Sequence, residues 1–305
     1  MCRVLWLDWN EGYVTLRMQQ AANRLGIHFA AREINDLQFR ITTDGNGLLA
    51  GMSGVFDGNS TIDLRQQYDV LVARTFFPRI SEALTVARLF KEAGKVVIDQ
   101  SLTNQGYVVS KMHDYLLLAE QGIPVPRSWQ GCGWEEVQRQ ADALGYPCVL
   151  KAVHGSYGNH VHLAHNIEEL RRKWQRYPIG DLILQEYLPA AEDFRIVVIG
   201  YQAIPVFVGR RPKPGDFRTN FELGGVSEHY DGRTNPQYAK WLRLAERAAH
   251  GLGREFAGVD LRICDGQPVI LEVNRRPSFQ NFEQTTGYDV AGAFLTYARK
   301  RWEET

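Results

Sequence analysis

The stretch GVDLRICDGQPVILEVN, residues 258–274, decides the fold because it contains two apolar strands joined by a tight turn. The turn at Asp265 and Gly266 predicts a β-hairpin, which brings Asp260 on the first strand back toward the second strand. Glu272 and Asn274 lie two residues apart, so their side chains leave the second strand on the same face. We therefore expect two carboxylates and an amide to meet on one face of an otherwise apolar hairpin.

Three oxygen-bearing side chains on such a face predict a site for a divalent cation. Oxygen-only ligands favour Mg²⁺ or Mn²⁺ over Zn²⁺, and Mg²⁺ commonly bridges to substrate phosphates. A solvated sheet face that carries Glu272 and Asn274 through ordinary polar alternation is the alternative. Arg275 and Arg276 follow directly and favour the cation site, because basic side chains beside it suit an anionic substrate.

A second stretch, VLKAVHGSYGNHVHLA, places Lys151 at the end of an apolar strand and directly before a turn with two glycines. Glycines let backbone N–H groups approach a ligand and a lysine adds a point charge, so the combination suits a phosphate chain. It is not a Walker loop, because the lysine precedes the glycines. A lysine that snorkels beside a hairpin is the alternative. Lys111, at the start of a predicted helix, indicates by itself only a solvated surface.

Composition and charge give no preference for a charged partner. The 305 residues include 35 lysines and arginines against 35 aspartates and glutamates, so no global field attracts nucleic acid. No apolar run reaches the ~20 residues of a membrane span, and the N-terminus lacks a signal-peptide core. The four cysteines are scattered without a CxxC pair, which is typical of a soluble protein of the reducing cytoplasm.

Hydrophobic periodicity predicts strands and helices in an α/β arrangement. A strand–helix–strand opening precedes an irregular excursion or hairpin at 35–60, and several β-rich segments follow residue 145. The predicted helices are 12–26, 81–94 (capped by Ser81), 111–121, 134–144, 235–251 (capped by Asn235) and one from Asp289 onward.

Together these segments resemble the ATP-grasp superfamily and, within it, the RimK-like branch of carboxylate–amine ligases. The resemblance runs from about residue 102 to 299, with the motifs in the family's order. SKMHDYLLLAEQGIPVP is similar to the segment of the first phosphate lysine, and VLKAVHGSYGNHV to the second lysine with its glycine loop. LQEYL is similar to the hinge that receives adenine, and DFR to the Asp-x-Arg that follows it. The implied nucleotide-binding residues are Lys111, Lys151, Gly155, Ser156, Gly158, Gln185, Glu186, Tyr187, Leu188 and Asp193.

The segment GRRPKPGDFRTNFELGG resembles one that is particular to this branch and lies near the phosphates and the acceptor. It implies catalytic roles for Arg210 and Asn220, together with Arg195 of the DFR motif, and a substrate contact for Arg218. The family's metal ligands correspond to Asp260, Glu272 and Asn274.

The resemblance implies an α/β (α+β) ATP-grasp fold with the nucleotide between two lobes. The expected domains are an N-terminal parallel α/β pre-ATP-grasp domain at 1–100, a small lobe with the glycine loop at 101–188, and a C-terminal lobe with the metal site at 189–305.

Two segments depart from the family's pattern. His160 stands where a second loop glycine is usual, which suggests a stiffer loop or an added phosphate contact. Arg275, Arg276 and Ser278 replace small residues after the EVN motif, so we expect them to hold an additional carboxylate or phosphate of the substrate.

The implied reaction is ATP-dependent amide formation through an acyl phosphate, with release of ADP and phosphate. Its cofactors are ATP and Mg²⁺ or Mn²⁺, with two ions expected. An ATP-grasp phosphotransferase and a catalytically silent nucleotide-binding module are the alternatives. The expected partners are a small molecule, amino acid or peptide, with a carrier protein or protein terminus left open, and neither nucleic acid nor a membrane. Family members are often oligomers, but no feature of the sequence fixes the number.

Overall fold

The computed structural model describes residues 1–8, 12–40, 54–58, 60, 62–74, 78–104, 106–153, 161–178, 180–219 and 225–305. None of the helices in these ranges combines the length and the apolar character that a membrane span requires.

A parallel sheet opens the chain. Its strands are β1 (Arg3–Leu7), β2 (His28–Arg32), β5 (Val70–Ala73) and β6 (Val96–Ile98), in the spatial order β2-β1-β5-β6. Alternate side chains of β1 go to opposite faces, as the pleat requires. Val4 and Trp6 pack against α1 (Tyr13–Leu25) and α9 (Val290–Glu303), whereas Leu5 and Leu7 pack against α3 (Ile80–Glu92). The predicted strand–helix–strand opening is thus confirmed.

The predicted excursion at 35–60 contains an antiparallel hairpin of β3 (Leu37–Arg40) and β4 (Gly54–Asp57). Residues 41–53 lie outside the described residues. A single helical turn, α2 (Leu64–Gln67), then leads into β5, and the Asp63 side chain caps it by accepting the Arg65 N–H at 2.8 Å.

A small antiparallel sheet follows, with the order β7-β10-β8-β9. Its strands are β7 (Ser128–Gln130), β8 (Cys148–Ala152), β9 (Val161–Ala164) and β10 (Leu182–Glu186). Leu150 and Leu184 pack under α5 (Trp134–Leu144) and α6 (Ile167–Trp174). Lys151 and Gln185 are the next residues on these strands, so their side chains leave the sheet on the face away from the helices.

A larger antiparallel sheet holds the C-terminal half. Its strands are β11 (Asp193–Ile199), β12 (Gln202–Ala203), β13 (Val206–Arg211), β14 (Val226–Asp231), β15 (Phe256–Cys264) and β16 (Gln267–Asn274). The order is β14-β13-β11-β15-β16, and β12 pairs with β11. The helices α4 (Lys111–Glu120) and α7 (Pro236–Gly251) pack on one face, while α8 (Gln280–Thr286) and α9 connect the other face to the parallel sheet.

The local signals of the C-terminal half are confirmed. Asp265 and Gly266 have φ angles of 50° and 76°, which is the left-handed geometry of a two-residue hairpin turn between β15 and β16. Asn235 caps α7 by accepting the Gln237 N–H at 2.9 Å, with Pro236 at the first helical position.

Several elements differ from the sequence-based expectations. The helix expected at 81–94 begins at Ile80 and ends at Glu92, and its start has no side-chain cap, so the predicted role of Ser81 is wrong. The strand β14 and the helices α6 and α8 were not predicted. β14 alternates poorly, since it lies at a sheet edge. α6 is only eight residues long and buries only Leu170 and Trp174, so its apolar pattern is short.

Candidate active site between the two antiparallel sheets

The hairpin of β15 and β16 brings the predicted metal ligands together. Asp260 and Glu272 are directly opposite each other in the strand register, and Asn274 stands opposite Gly258. The Asn274 side-chain amide donates to Asp260 Oδ2 at 3.3 Å. Two carboxylates and an amide oxygen on neighbouring positions of one face form a donor set whose chemistry fits Mg²⁺. Their metal-binding role stays a prediction.

Two arginines bind the Asp260 carboxylate. Arg195 is the register partner of Asp260 on β11, and its guanidinium donates to both carboxylate oxygens, at 2.7 Å for Oδ2. Arg210 approaches Oδ1 at 2.8 Å from β13. Burial opposes ionisation of Asp260, but the charges of Arg195 and Arg210 outweigh it, so the pKa of this carboxyl lies below its ordinary value.

The two predicted phosphate lysines point toward the same hairpin. Lys111, the first residue of α4, has its ammonium 3.8 Å from Glu272 Oε1. Lys151 is buried and donates to the hydroxyl of Tyr115 on α4. Burial lowers the pKa of Lys151 to about 8, and the charge of Glu272 opposes that shift. Four cations (Lys111, Lys151, Arg195, Arg210) and two carboxylates (Asp260, Glu272) therefore give this cluster a net charge of +2 when all are ionised.

The predicted adenine hinge lies at the end of β10, and its residues already have protein partners. Gln185 is buried and donates to Ser128 Oγ at 2.7 Å. Glu186 binds Arg127 through both carboxylate oxygens, at 2.8 and 2.6 Å. Tyr187 meets the ring of Phe217 edge-on with centroids 6.4 Å apart, and the Leu188 carbonyl accepts from Arg262. The hinge is ordered by these contacts, and its role in binding adenine stays a prediction.

Asp193 and Arg218 lie in ion pairs of their own. The carboxylate of Asp193 is buried and accepts from Arg262 at 2.5 and 3.0 Å and from the Thr219 hydroxyl at 2.6 Å. This arrangement ties the loop after β13 to β11, and it gives Asp193 a structural task that its motif did not reveal. Arg218 donates to Asp216 at 2.9 Å, and this hydrogen bond lowers the pKa of Asp216 to about 2.

Arg275 and Arg276 do not face the hairpin cluster. Arg275 donates to Asp99, at the end of β6, at 2.9 Å, and its guanidinium lies 4.8 Å from the ring centroid of Tyr107. Arg276 lies 2.9 Å from a carboxylate oxygen of Asp8, at the end of β1. We expected both to hold a carboxylate or phosphate of the substrate. In the structure both guanidinium groups bind carboxylates at the edge of the protein's own parallel sheet, and a contact with substrate stays a prediction. Ser278 is exposed beside them.

Some predicted residues cannot be placed. Gly155, Ser156, Gly158, His160 and Asn220 lie outside the described residues. His162 on β9 shares a hydrogen bond of 2.6 Å with the Tyr177 hydroxyl. Within the described ranges no group of three or more histidine, cysteine, aspartate or glutamate side chains is arranged to hold a metal ion. The candidate cation site therefore depends on the amide of Asn274 as well as on the two carboxylates.

Sequence reasoning missed Tyr115. It lies one turn of α4 after Lys111, and this spacing of four residues, which puts both on the same helix face, was the available signal. Its long-range partners, Lys151 and Leu271, could not be read from the sequence.

Comparison with known proteins accounts for this geometry. A family model described as the RimK-like ATP-grasp domain matches residues 109–298, which is more than half of the chain. The chain belongs to the RimK-like ATP-grasp family. The predicted family and the mixed α/β ATP-grasp fold are thereby confirmed.

Individual relatives agree with this assignment. A probable alpha-L-glutamate ligase of Serratia proteamaculans is 30% identical over 246 residues, covering 77% of this chain and 78% of its own. A ribosomal protein bS6–L-glutamate ligase of Escherichia coli O7:K1 is 30% identical over 237 residues, covering 74% and 75%. The solved structure of the ATP-grasp ligase PsnB with a minimal precursor superposes with a TM-score of 0.71 at 18% identity and 98% coverage of both chains. The protein is an ATP-dependent C–N ligase, and ligases of this family use ATP and Mg²⁺.

Proposed function

We propose that this ligase joins the amino group of an α-amino acid of the glutamate class to a carboxylate of a peptide or protein. The observation that carries the proposal is the interlobe cluster of four cations around Asp260, Glu272 and Asn274. Its net positive charge suits a triphosphate and a carboxylate held side by side. The names of the Serratia and Escherichia relatives support glutamate as the amino acid.

The reaction requires activation, because a carboxylate is a poor acyl donor in water. A carboxylate oxygen attacks the γ-phosphorus of ATP, the bond to the β-phosphate oxygen breaks, and ADP leaves. The amine then attacks the acyl carbon, the bond to the phosphate oxygen breaks, and an amide forms with loss of one amine proton. This sequence needs no covalent nucleophile of the protein.

The described side chains have separate tasks in this scheme. Lys111 and Lys151 neutralise phosphate charge, while Arg195 and Arg210 stabilise the charge that develops on the transferring phosphoryl group. Asp260, Glu272 and Asn274 hold Mg²⁺, of which we expect two ions, and the bound cation supplies further charge neutralisation at the phosphates. Asn220, Arg218 and the glycine-loop residues complete the site as predictions from the family pattern.

An ADP-release assay over a matrix of acids and amines tests this function. We expect release of ADP and phosphate only when a carboxylate and an amine are both present, with glutamate as the preferred amine. Mass spectrometry of the product identifies the new amide. Glu272→Ala is the inactive control. ADP release without an amine, with a stable phosphorylated product, would instead identify a phosphotransferase.

A further inference from the structure

Tyr115 is buried at the point where three predicted parts of the nucleotide site meet. Its hydroxyl accepts a hydrogen bond from Lys151 on β8 and donates one to the Leu271 carbonyl on β16 at 2.7 Å. One hydroxyl on α4 therefore connects the predicted phosphate lysine with the strand of Glu272.

The carbonyl that Tyr115 binds belongs to Leu271, a residue without a cross-strand partner on β15. Asp260 pairs with Glu272 and Leu261 pairs with Ile270, so Leu271 has no register partner on β15. Such a β-bulge removes a residue from the ladder and leaves its backbone groups in need of other partners. Tyr115 supplies one of these, and it thereby fixes the backbone directly beside Glu272.

Lys151 also depends on this hydroxyl. A buried ammonium without an acceptor bears a large desolvation cost, and a lysine side chain otherwise has many rotamers. The ammonium lies 4.8 Å from the centroid of the Tyr115 ring, so the same side chain offers both an oxygen acceptor and an aromatic ring.

We propose that Tyr115 is a positioning residue for nucleotide binding, whose hydroxyl holds the Lys151 ammonium at a set position relative to Glu272. This inference rests on the proposed function, because it assigns Lys151 to the phosphates and Glu272 to the cation. The Lys151 ammonium and the Glu272 carboxylate then have a fixed separation before the nucleotide binds. Ordering these side chains therefore costs less free energy on binding.

Calorimetric titration with Mg-ADP tests the proposal without knowledge of the other substrates. Tyr115→Phe keeps the ring and removes only the hydroxyl, and we expect its affinity to fall about tenfold or more, the scale of one charge-assisted hydrogen bond. In the Lys151→Met background the same substitution should cause a much smaller loss, because the lysine that the hydroxyl positions is absent and only the contact with the Leu271 carbonyl is removed. Tyr13→Phe is the matched control, since its hydroxyl donates to Glu283 at 2.8 Å and takes no part in the contacts among α4, β8 and β16, and it should bind as the wild type does.

Unchanged affinity in Tyr115→Phe, or an equal loss in the Lys151→Met background, would overturn the positioning role. If Tyr115→Phe does not fold, the wild type still gives an answer. A nuclear Overhauser contact between the Lys151 side chain and the Tyr115 ring should persist in the Mg-ADP complex, and its disappearance would contradict the proposal. Failure of the wild type to bind Mg-ADP at all would refute the proposed function instead.

Discussion

One cluster of arginine and carboxylate lies on the β15–β16 hairpin and another involves the residues that follow it, and the two differ in what the arginines bind. On the hairpin, Arg195 and Arg210 share the single carboxylate of Asp260, and positive charge remains for a ligand. After the hairpin, Arg275 pairs with Asp99, and Arg276 shares the carboxylate of Asp8 with Arg74, whose Nε lies 3.5 Å from Oδ2. Burial raises the pKa of Asp99 despite Arg275, whereas the two arginines keep the pKa of Asp260 low. The place of the carboxylate separates the two clusters: Asp260 is a predicted cation ligand, whereas Asp8 and Asp99 lie at the edge of the parallel sheet. We therefore interpret the second cluster as a joint that fastens the segment after β16 to the parallel sheet, and we expect the first to serve a ligand.

The largest effect should come from breaking the joint. Arg275→Met leaves the carboxylate of Asp99 buried without its cation, and loss of one partner of a buried pair costs about 3–5 kcal/mol. We expect a large drop in the free energy of unfolding by denaturant, while the ligation rate per folded molecule stays near that of the wild type.

The matched control for the joint is Arg233→Met, because the Arg233 side chain is 73% exposed in its pair with Asp231. Such surface pairs contribute at most about 1 kcal/mol. If Arg275→Met keeps full stability and loses activity, Arg275 contacts substrate and the contrast between the two clusters is wrong.

The next effect should come from the hairpin cluster. Arg210→Met removes a cation placed to stabilise transition-state charge, and we expect the ligation rate to fall about 10²–10³-fold. Arg211, its neighbour on β13, has a side chain 51% exposed and pairs with Glu228, so Arg211→Met should keep nearly full activity. Equal rates for the two variants, measured by ADP release, would remove Arg210 from the active site.

The pH dependence of nucleotide affinity tests whether Lys151, in the hairpin cluster, contacts the nucleotide phosphates. Burial lowers the pKa of Lys151 to about 8 in the nucleotide-free protein, where it faces Tyr115 and Glu272. The affinity for Mg-ADP should be constant below pH 8 and then fall by up to about tenfold per pH unit as the ammonium loses its proton. Because phosphates favour the charged lysine, binding near pH 8 should take up protons.

Proton uptake is measured by calorimetry in buffers with different ionisation enthalpies. Lys151→Met should show none at this pH. Affinity that stays constant to pH 9.5 in the wild type would contradict a phosphate contact of Lys151.

The smallest effect concerns the partly buried pair of Arg218 and Asp216. We expect Asp216→Asn to cost about 1 kcal/mol of unfolding free energy at neutral pH. Arg218 lowers the pKa of Asp216 to about 2, so the pair stabilises the fold above the ordinary pKa of aspartate and this contribution is lost as the pH falls toward 2. Stability curves of the two proteins should therefore converge under acid conditions, and a difference that persists at pH 2 would contradict this.

Local signals explain how much could be predicted from the sequence. The Asp265–Gly266 turn, the Asn235 cap and the apolar strand before Lys151 depend on residues close in sequence, and each was found. The partners of Arg275 and Arg276 lie 176 and 268 residues away, so they depend on how two separate sheets pack. The same is true of Asp193, which is bonded to Arg262 on a strand 69 residues later.

Within the site, alternation along β16 correctly placed Glu272 and Asn274 on one face, but it could not reveal Tyr115. A tyrosine in an otherwise ordinary amphipathic helix fits burial in an apolar core equally well, and only the assembled lobes show that its hydroxyl lies between Lys151 and Leu271.

The unpaired residue of β16 has one more consequence. If the register that runs from the turn to Leu261 continued without interruption, Leu271 would stand across from Asp260, and Glu272 would point to the opposite side of the sheet. Because Leu271 is an extra residue, the side chains of β16 after it alternate in the opposite phase. The acidic Glu272, and not the apolar Leu271, therefore stands across from Asp260. Deleting Leu271 would give a regular hairpin in which Glu272 follows Ile270 directly and still stands across from Asp260, but the strand would lose the carbonyl that Tyr115 binds.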